Sequence, residues 1–126
     1  MSVRVLVVDD QAPFRGAVRG VVAATAEFEL VGEASSGEEA VALVGELRPD
    51  LVLMDIKMPG LGGIEATRSI ADAYPGTVTV LLSTYREQDL PAQAHECGAL
   101  AYLHKSNLDG GVLRGLWARS HPSSAR

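Results

Sequence analysis

The sequence predicts an α/β fold of five βα units, (βα)5, with a doubly wound parallel five-stranded sheet covered by helices on both faces. Three observations carry this. Short apolar runs recur five times, each followed by a stretch with helical spacing. The runs are apolar almost continuously, the pattern of strands buried on both faces of a parallel sheet. The chain has 126 residues, one domain's length, and 47% of them are hydrophobic, enough for a core. Right-handed crossovers then place helices on both sides of the sheet.

The elements follow in order. Residues 3–8 form a β-branched run that stops at two acids. Residues 13–26 place Phe14, Ala17, Val18, Val21 and Val22 at helical spacing. Residues 28–34 alternate and read as a second strand near an edge. Ser36 and Glu39 form a capping box, which opens a helix carrying Ala40, Val41, Leu43, Val44 and Leu47. Pro49 ends it. Residues 51–54 are a third strand, apolar on both faces, and 64–74 a helix stopped by Pro75 and Gly76. Residues 78–82 form the fourth strand, 88–97 a weaker helix ended by Gly98, and 100–103 a short fifth strand. A last helix over 108–118 is weakened by Gly110, Gly111 and Gly115, each at ~1 kcal/mol relative to Ala. On this reading residues 1–118 are the domain, and the polar stretch 119–126, with Pro122, is a linker or disordered tail.

Composition narrows the function. The net charge is −5 and no Lys/Arg run occurs, so direct nucleic-acid binding by this chain is not expected. A single cysteine, Cys97, excludes an intramolecular disulfide and a multi-cysteine metal site. His95, His104 and His121 share no spacing and read as surface residues. The N-terminus lacks a secretory pattern, and no apolar run approaches ~18 residues. A cytoplasmic protein with no membrane partner is the expectation.

Doubly wound sheets bind ligands at the carboxyl ends of their strands, where the winding direction reverses. The residues at four such ends are Asp9-Asp10, Asp55, Ser83-Thr84 and Lys105. Three carboxylates, a hydroxyl and an ammonium should therefore meet on one rim. One lysine does not neutralise three carboxylates, so the site needs a cation or protons. All-oxygen donors with positions left for water suit Mg²⁺. Mg²⁺ with Lys105 would make a receptor for a phosphoryl group. Positive charge beside a carboxylate keeps it ionised and nucleophilic, and neutralises the transferring oxygens.

Four segments carry a family likeness. They are Val7-Val8-Asp9-Asp10, Leu53-Met54-Asp55-Ile56-Lys57-Met58-Pro59, Leu82-Ser83-Thr84, and Gly98-Ala99-Leu100-Ala101-Tyr102-Leu103-His104-Lys105. In this order and spacing the chain resembles, over residues 3–118, the receiver domains of bacterial two-component response regulators. The resemblance implies a flavodoxin-like strand order 2-1-3-4-5. It implies Asp55 as the phosphoacceptor, Asp9 and Asp10 as the Mg²⁺-binding pair, one of them through water, and the Lys57 backbone carbonyl as a further ligand. It implies Ser83 as the switch hydroxyl that moves to bond the phosphoryl group and Lys105 as the lysine that pairs with it. Tyr102 is implied as the aromatic that turns inward on activation. Lys57 and Tyr85 are implied to flank the path of the water that removes the phosphoryl group.

As a whole, the resemblance implies a signalling switch that loses its phosphoryl group slowly by itself, not a turnover enzyme. A sensor histidine kinase would be its phosphoryl source and a homodimer its activated form. The separations of Ser83 and Lys105 from Asp55, 28 and 50 residues, resemble the NarL/FixJ branch. So does Ser106, where a proline is absent after the lysine. That branch implies the input half of a transcription regulator, with DNA held by a separate C-terminal domain. The departures are Gly62, where many receivers carry an acid, the glycine-rich turn Gly60-Leu61-Gly62-Gly63, and the glycine-rich last helix.

Three other readings compete. A stand-alone receiver would dock on a protein partner. An aspartyl-phosphate phosphatase or phosphomutase resembles a pattern with a second Asp two positions after the first-strand nucleophile; here Asp9 and Asp10 are adjacent and Gln11 follows. A nucleotide- or flavin-binding module needs a glycine- or hydroxyl-rich phosphate loop after the first strand, where this chain has Asp9-Asp10-Gln11-Ala12-Pro13.

Overall fold

The structure is a computed structural model and describes residues 2–120. Five strands form one parallel sheet: β1 (Val3–Val8), β2 (Phe28–Ala34), β3 (Leu51–Asp55), β4 (Val78–Ser83) and β5 (Ala101–His104). Their order is β2-β1-β3-β4-β5, so β2 is an edge and the winding reverses between β1 and β3. Fold class and strand order are those the sequence predicts. Every residue of β3 is buried, because β1 and β4 pair with its two sides and helices cover its two faces.

Side chains alternate across a strand, so one strand feeds two cores. Leu6, Val8, Val52, Met54 and Leu81 point to one face and pack with α2 (Gly37–Leu47) and α3 (Gly63–Ala73). Val5, Val7, Leu51, Leu53, Val80 and Leu82 point to the other and pack with α1 (Ala12–Ala23) and α4 (Gly110–Ser120). Cys97 is a buried member of the first core and Trp117 packs on the second.

The capping box forms. Ser36 Oγ accepts from the Glu39 N–H at 3.1 Å, and the Glu39 carboxylate reaches back to the Ser35 N–H at 2.6 Å. α2 ends at Arg48, in the left-handed region at φ 48°, immediately before Pro49. α1 stops at Ala23, three residues before the periodicity does; the chain then turns through Glu27 at φ 72°.

The predicted helix over 88–97 does not form, so there are four α-helices and not five among the described residues. In its place are two 3-10 turns, Glu87–Asp89 and Ala92–His95. Pro91 sits between them; it lacks an N–H and pushes Leu90 away from helical geometry. Ala94 and Cys97 still reach the first core, so the apolar periodicity was real and the backbone interrupted it. α4 starts at Gly110, two residues later than predicted, and runs through Ser120, inside the stretch read as a tail. Residues 121–126 of that stretch lie outside the described residues. No helix among the described residues is long and apolar enough to cross a membrane.

Candidate functional site

The winding reversal places the ends of β1 and β3 side by side. Asp9 follows β1, its N–H still held by the Ala34 carbonyl of β2 at 3.0 Å, and it is fully buried. Its Oδ1 accepts from the Gln11 N–H at 2.8 Å, which folds the chain into α1. Its carbonyl accepts from Arg15 of α1 at 2.7 Å. Asp55 is the last residue of β3, paired in register with Leu82 and buried. Asp10 is exposed and shares a cleft of about 510 Å³ with Gln11, Asp55, Lys57, Thr84 and Lys105. Carboxylate oxygens of Asp9, Asp10 and Asp55 lie within 4.8 Å of one another, close enough to hold one cation.

Lys105, just past β5, reaches back over the rim. Its Nζ lies 2.6 Å from Asp9 Oδ2 and 3.4 Å from Asp55 Oδ1. The same ammonium sits 4.6 Å from the ring centroid of Phe14, in cation–π range. Burial lowers the pKa of Lys105, but the Asp9 and Asp55 carboxylates outweigh it and hold the ammonium above its ordinary value. Burial, with Asp9 beside it, pushes Asp55 up from 3.8 to about 6, against the pull of Lys105. The site is thus short of positive charge in the way the sequence anticipates.

Gly63 explains part of the glycine-rich turn. A Cβ there would lie 1.9 Å from the Asp55 carbonyl oxygen, so only glycine lets α3 begin so close to β3. Gly60, at φ +74°, makes the turn that precedes it. The Glu38 carboxylate accepts from the Leu61 N–H at 3.2 Å and ties this loop to α2.

Ser83 is the buried last residue of β4, and its Oγ accepts from the Tyr85 N–H at 2.8 Å. Tyr102 of β5 is half-buried; its hydroxyl meets His95 Nδ1 at 2.6 Å, with the two rings edge to face. Ser83, Tyr85, Tyr102 and His104 border a second cleft of about 500 Å³. Asp10, Asp55, Lys57 and Lys105 therefore line the first cleft, with Asp9 buried against Lys105 beneath it, and Ser83 and Tyr102 line the second. Tyr85, expected beside Lys57, borders the second cleft. Sequence reasoning missed Phe14 and Arg15 as neighbours of the rim, because Phe14 carries the ordinary spacing of a core-facing helix and nothing local sets Arg15 apart from other helix charges. It noted the glycine-rich turn without its cause. His95 is exposed as expected, whereas His104 is half-buried and bonded on both ring nitrogens; His121 lies outside the described residues.

The fold and the rim define a doubly wound domain with an acidic, lysine-bearing pocket at its switch point. The chain belongs to the response regulator receiver domain family, which it matches over residues 5–113. It is 41% identical over 103 residues to the response regulator GacA of Pseudomonas viridiflava, covering 82% of this chain and 48% of that protein. It is equally similar to the response regulator UvrY of Escherichia coli K12, covering 82% and 47%. The two-component response regulator of the LuxR family from Aurantimonas sp. SI85-9A1 superposes with a TM-score of 0.84 at 30% identity, over 94% of this chain and 84% of that one. The chain spans about half the length of the curated relatives it matches. Its place among receivers of the NarL/FixJ type, expected from the spacings, agrees with these relatives. Response regulators of this kind are signalling proteins.

Proposed function

We propose that this receiver domain is a switch that accepts a phosphoryl group on Asp55 in a Mg²⁺ site. The observation that carries the reading is the convergence of Asp9, Asp10, Asp55 and Lys105 at the β1/β3 switch point. Asp10 and Asp55 offer oxygens to the cleft, while both carboxylate oxygens of Asp9 already hold donors, so Asp9 would act through water. The Lys57 backbone, at the same cleft, would supply a carbonyl. The donor set is all oxygen, and an open cleft leaves room for the waters that Mg²⁺ retains. When bound, the ion would neutralise charge on the phosphoryl oxygens.

The chain's own residues do the rest. An oxygen of the Asp55 carboxylate attacks phosphorus, the bond to the donor breaks, and the leaving group takes a proton from solvent. Lys105 moves its ammonium from Asp55 to the incoming phosphoryl group, and its contact with Asp9 keeps it aimed there. Ser83 is the switch hydroxyl and would exchange its bond from Tyr85 for one to the phosphoryl group. That frees Tyr102 to reposition and shifts the population of the face it borders. The group is then lost slowly by hydrolysis, without turnover of an external substrate.

A sensor histidine kinase fits as the donor, a cytoplasmic setting as the location, and a homodimer as the activated form. A separate C-terminal domain would hold DNA, making the chain the input half of a transcription regulator. The lengths of GacA and UvrY, about twice the matched span, support this. The coding sequence beyond Arg126 decides it: some sixty residues with a basic recognition helix support the reading, and an immediate stop codon leaves a stand-alone receiver. For the switch itself, a small phosphodonor with Mg²⁺ should add one phosphoryl mass, and Asp55→Asn should abolish it. Full labelling of Asp55→Asn would refute the assignment.

A further inference from the structure

We propose that His104 is a clamp that ties the loop after the switch hydroxyl to the turn bearing Lys105, and so holds the resting state. The proposal rests on the reading of Ser83 as the switch hydroxyl. The β4–β5 ladder ends at the pair Ser83 and His104. Beyond it the backbones separate, and the His104 ring spans the gap. Its Nε2 lies 3.0 Å from the carbonyl of Thr84, the residue after Ser83. Its Nδ1 lies 3.1 Å from the Ser106 N–H and 2.7 Å from the Ser106 hydroxyl, and so caps the 3-10 turn Lys105–Asn107.

A carbonyl only accepts and a backbone N–H only donates. The geometry therefore assigns a neutral imidazole with its proton on Nε2, donating to Thr84 while Nδ1 accepts from Ser106. One ring thus joins two segments that each carry a group of the proposed site. A shift of the Ser83 backbone toward a phosphoryl group carries Thr84 with it, and Thr84 is held by His104. Release of that bond is then part of activation.

The two halves of the clamp can be cut separately. Asparagine is short and a good cap, so His104→Asn keeps the bond to the Ser106 N–H and loses the reach to Thr84; His104→Ala loses both. With acetyl phosphate and Mg²⁺, His104→Asn should form the acyl phosphate about threefold to tenfold faster than the wild type, the range one net hydrogen bond allows. His104→Ala should be slower than His104→Asn, because Lys105 loses its cap. Ring ¹⁵N shifts of the wild type should report the Nε2–H tautomer. Exchange of the Ser106 amide should quicken about fivefold in His104→Ala and stay near wild type in His104→Asn. An unchanged or lower rate in His104→Asn overturns the clamp, as does an Nδ1–H ring or an imidazolium at neutral pH. A wild type that takes up no phosphoryl group refutes the phosphorylation reading instead; the ring shifts and the Ser106 exchange then judge the contacts alone.

Discussion

Two clefts of nearly equal volume, about 510 and 500 Å³, lie at the carboxyl edge of one sheet, and they are built in opposite ways. The first takes its charged groups from the ends of β1 and β3 and from Lys105, anchored by strand ladders and by contacts under 3.5 Å. Asp9 and Asp55 cannot move without disturbing the core beneath them. The second is lined by residues of the β4 loop, a 3-10 turn and β5, of which Tyr102 is bonded to His95 and His104 to Thr84 and Ser106. Pro91 denies it the helix that would have stiffened it. A reactive geometry belongs on rigid strand ends, and a switching surface belongs where one or two bonds decide between arrangements. The β4 loop joins the two clefts, with Thr84 lining the first and Ser83 and Tyr85 the second.

The contrast can be tested from its strongest consequence downward. Lys105→Ala removes the only cation found beside Asp55 among the described residues that is in ion-pair contact with it. Phosphoryl uptake measured with acetyl phosphate should fall ~100-fold, the usual cost of losing one charge-stabilising donor. A loss under tenfold would mean the first cleft does not depend on its fixed cation.

Gly63→Ala comes next. Its Cβ would meet the Asp55 carbonyl oxygen at 1.9 Å, a backbone contact that cannot rotate away. We expect a loss of about 3 kcal/mol in urea unfolding, with slower uptake because Asp55 is displaced. Unchanged stability would show that β3 and α3 can part cheaply, contrary to a rigid rim.

The third test is pH. Asp55 has its pKa raised from 3.8 to about 6 by burial and by Asp9. The folded chain therefore holds this proton more tightly than the unfolded one. Its contribution favours folding at low pH and is lost as pH rises from about 4 through 6. Metal-free wild type should lose ~3 kcal/mol relative to Asp55→Asn across that window and lose little more above it. Adding Mg²⁺ near neutral pH should recover part of the difference. Parallel curves for the two proteins would place Asp55 in a wetter site than its burial implies.

The smallest effect is expected in the second cleft. Tyr102→Phe removes the hydroxyl bonded to His95 and keeps the ring. Stability should change by ~1 kcal/mol or less, and phosphoryl uptake by less than about twofold. A large fall in uptake would join the two clefts into one functional unit and break the comparison.

Much of this was legible in the chain itself. Period-two and near-continuous apolar runs set all five strands, since a strand buried on both faces has no other pattern available. Ser36 and Glu39 announced their cap, because that bonding is local. The acids at the ends of β1 and β3 and the lysine after β5 could be placed on one rim because the position of a ligand in a doubly wound sheet follows from topology. Contacts between residues distant in sequence were not legible. Phe14 reads as a core residue from its spacing, yet its ring lies under the Lys105 ammonium. Gly63 reads as a loose turn, yet it is where α3 meets the Asp55 carbonyl. His104 reads as an isolated surface histidine, yet both its nitrogens are bonded. The helix over 88–97 had the right apolar spacing, and Pro91 with the packing around it chose 3-10 turns. Local pattern and chain topology determined the sheet and the identity of the charged rim, because hydrophobic period and crossover handedness are short-range rules. The tertiary structure alone decided which donor meets which acceptor, because those distances depend on how separate elements pack.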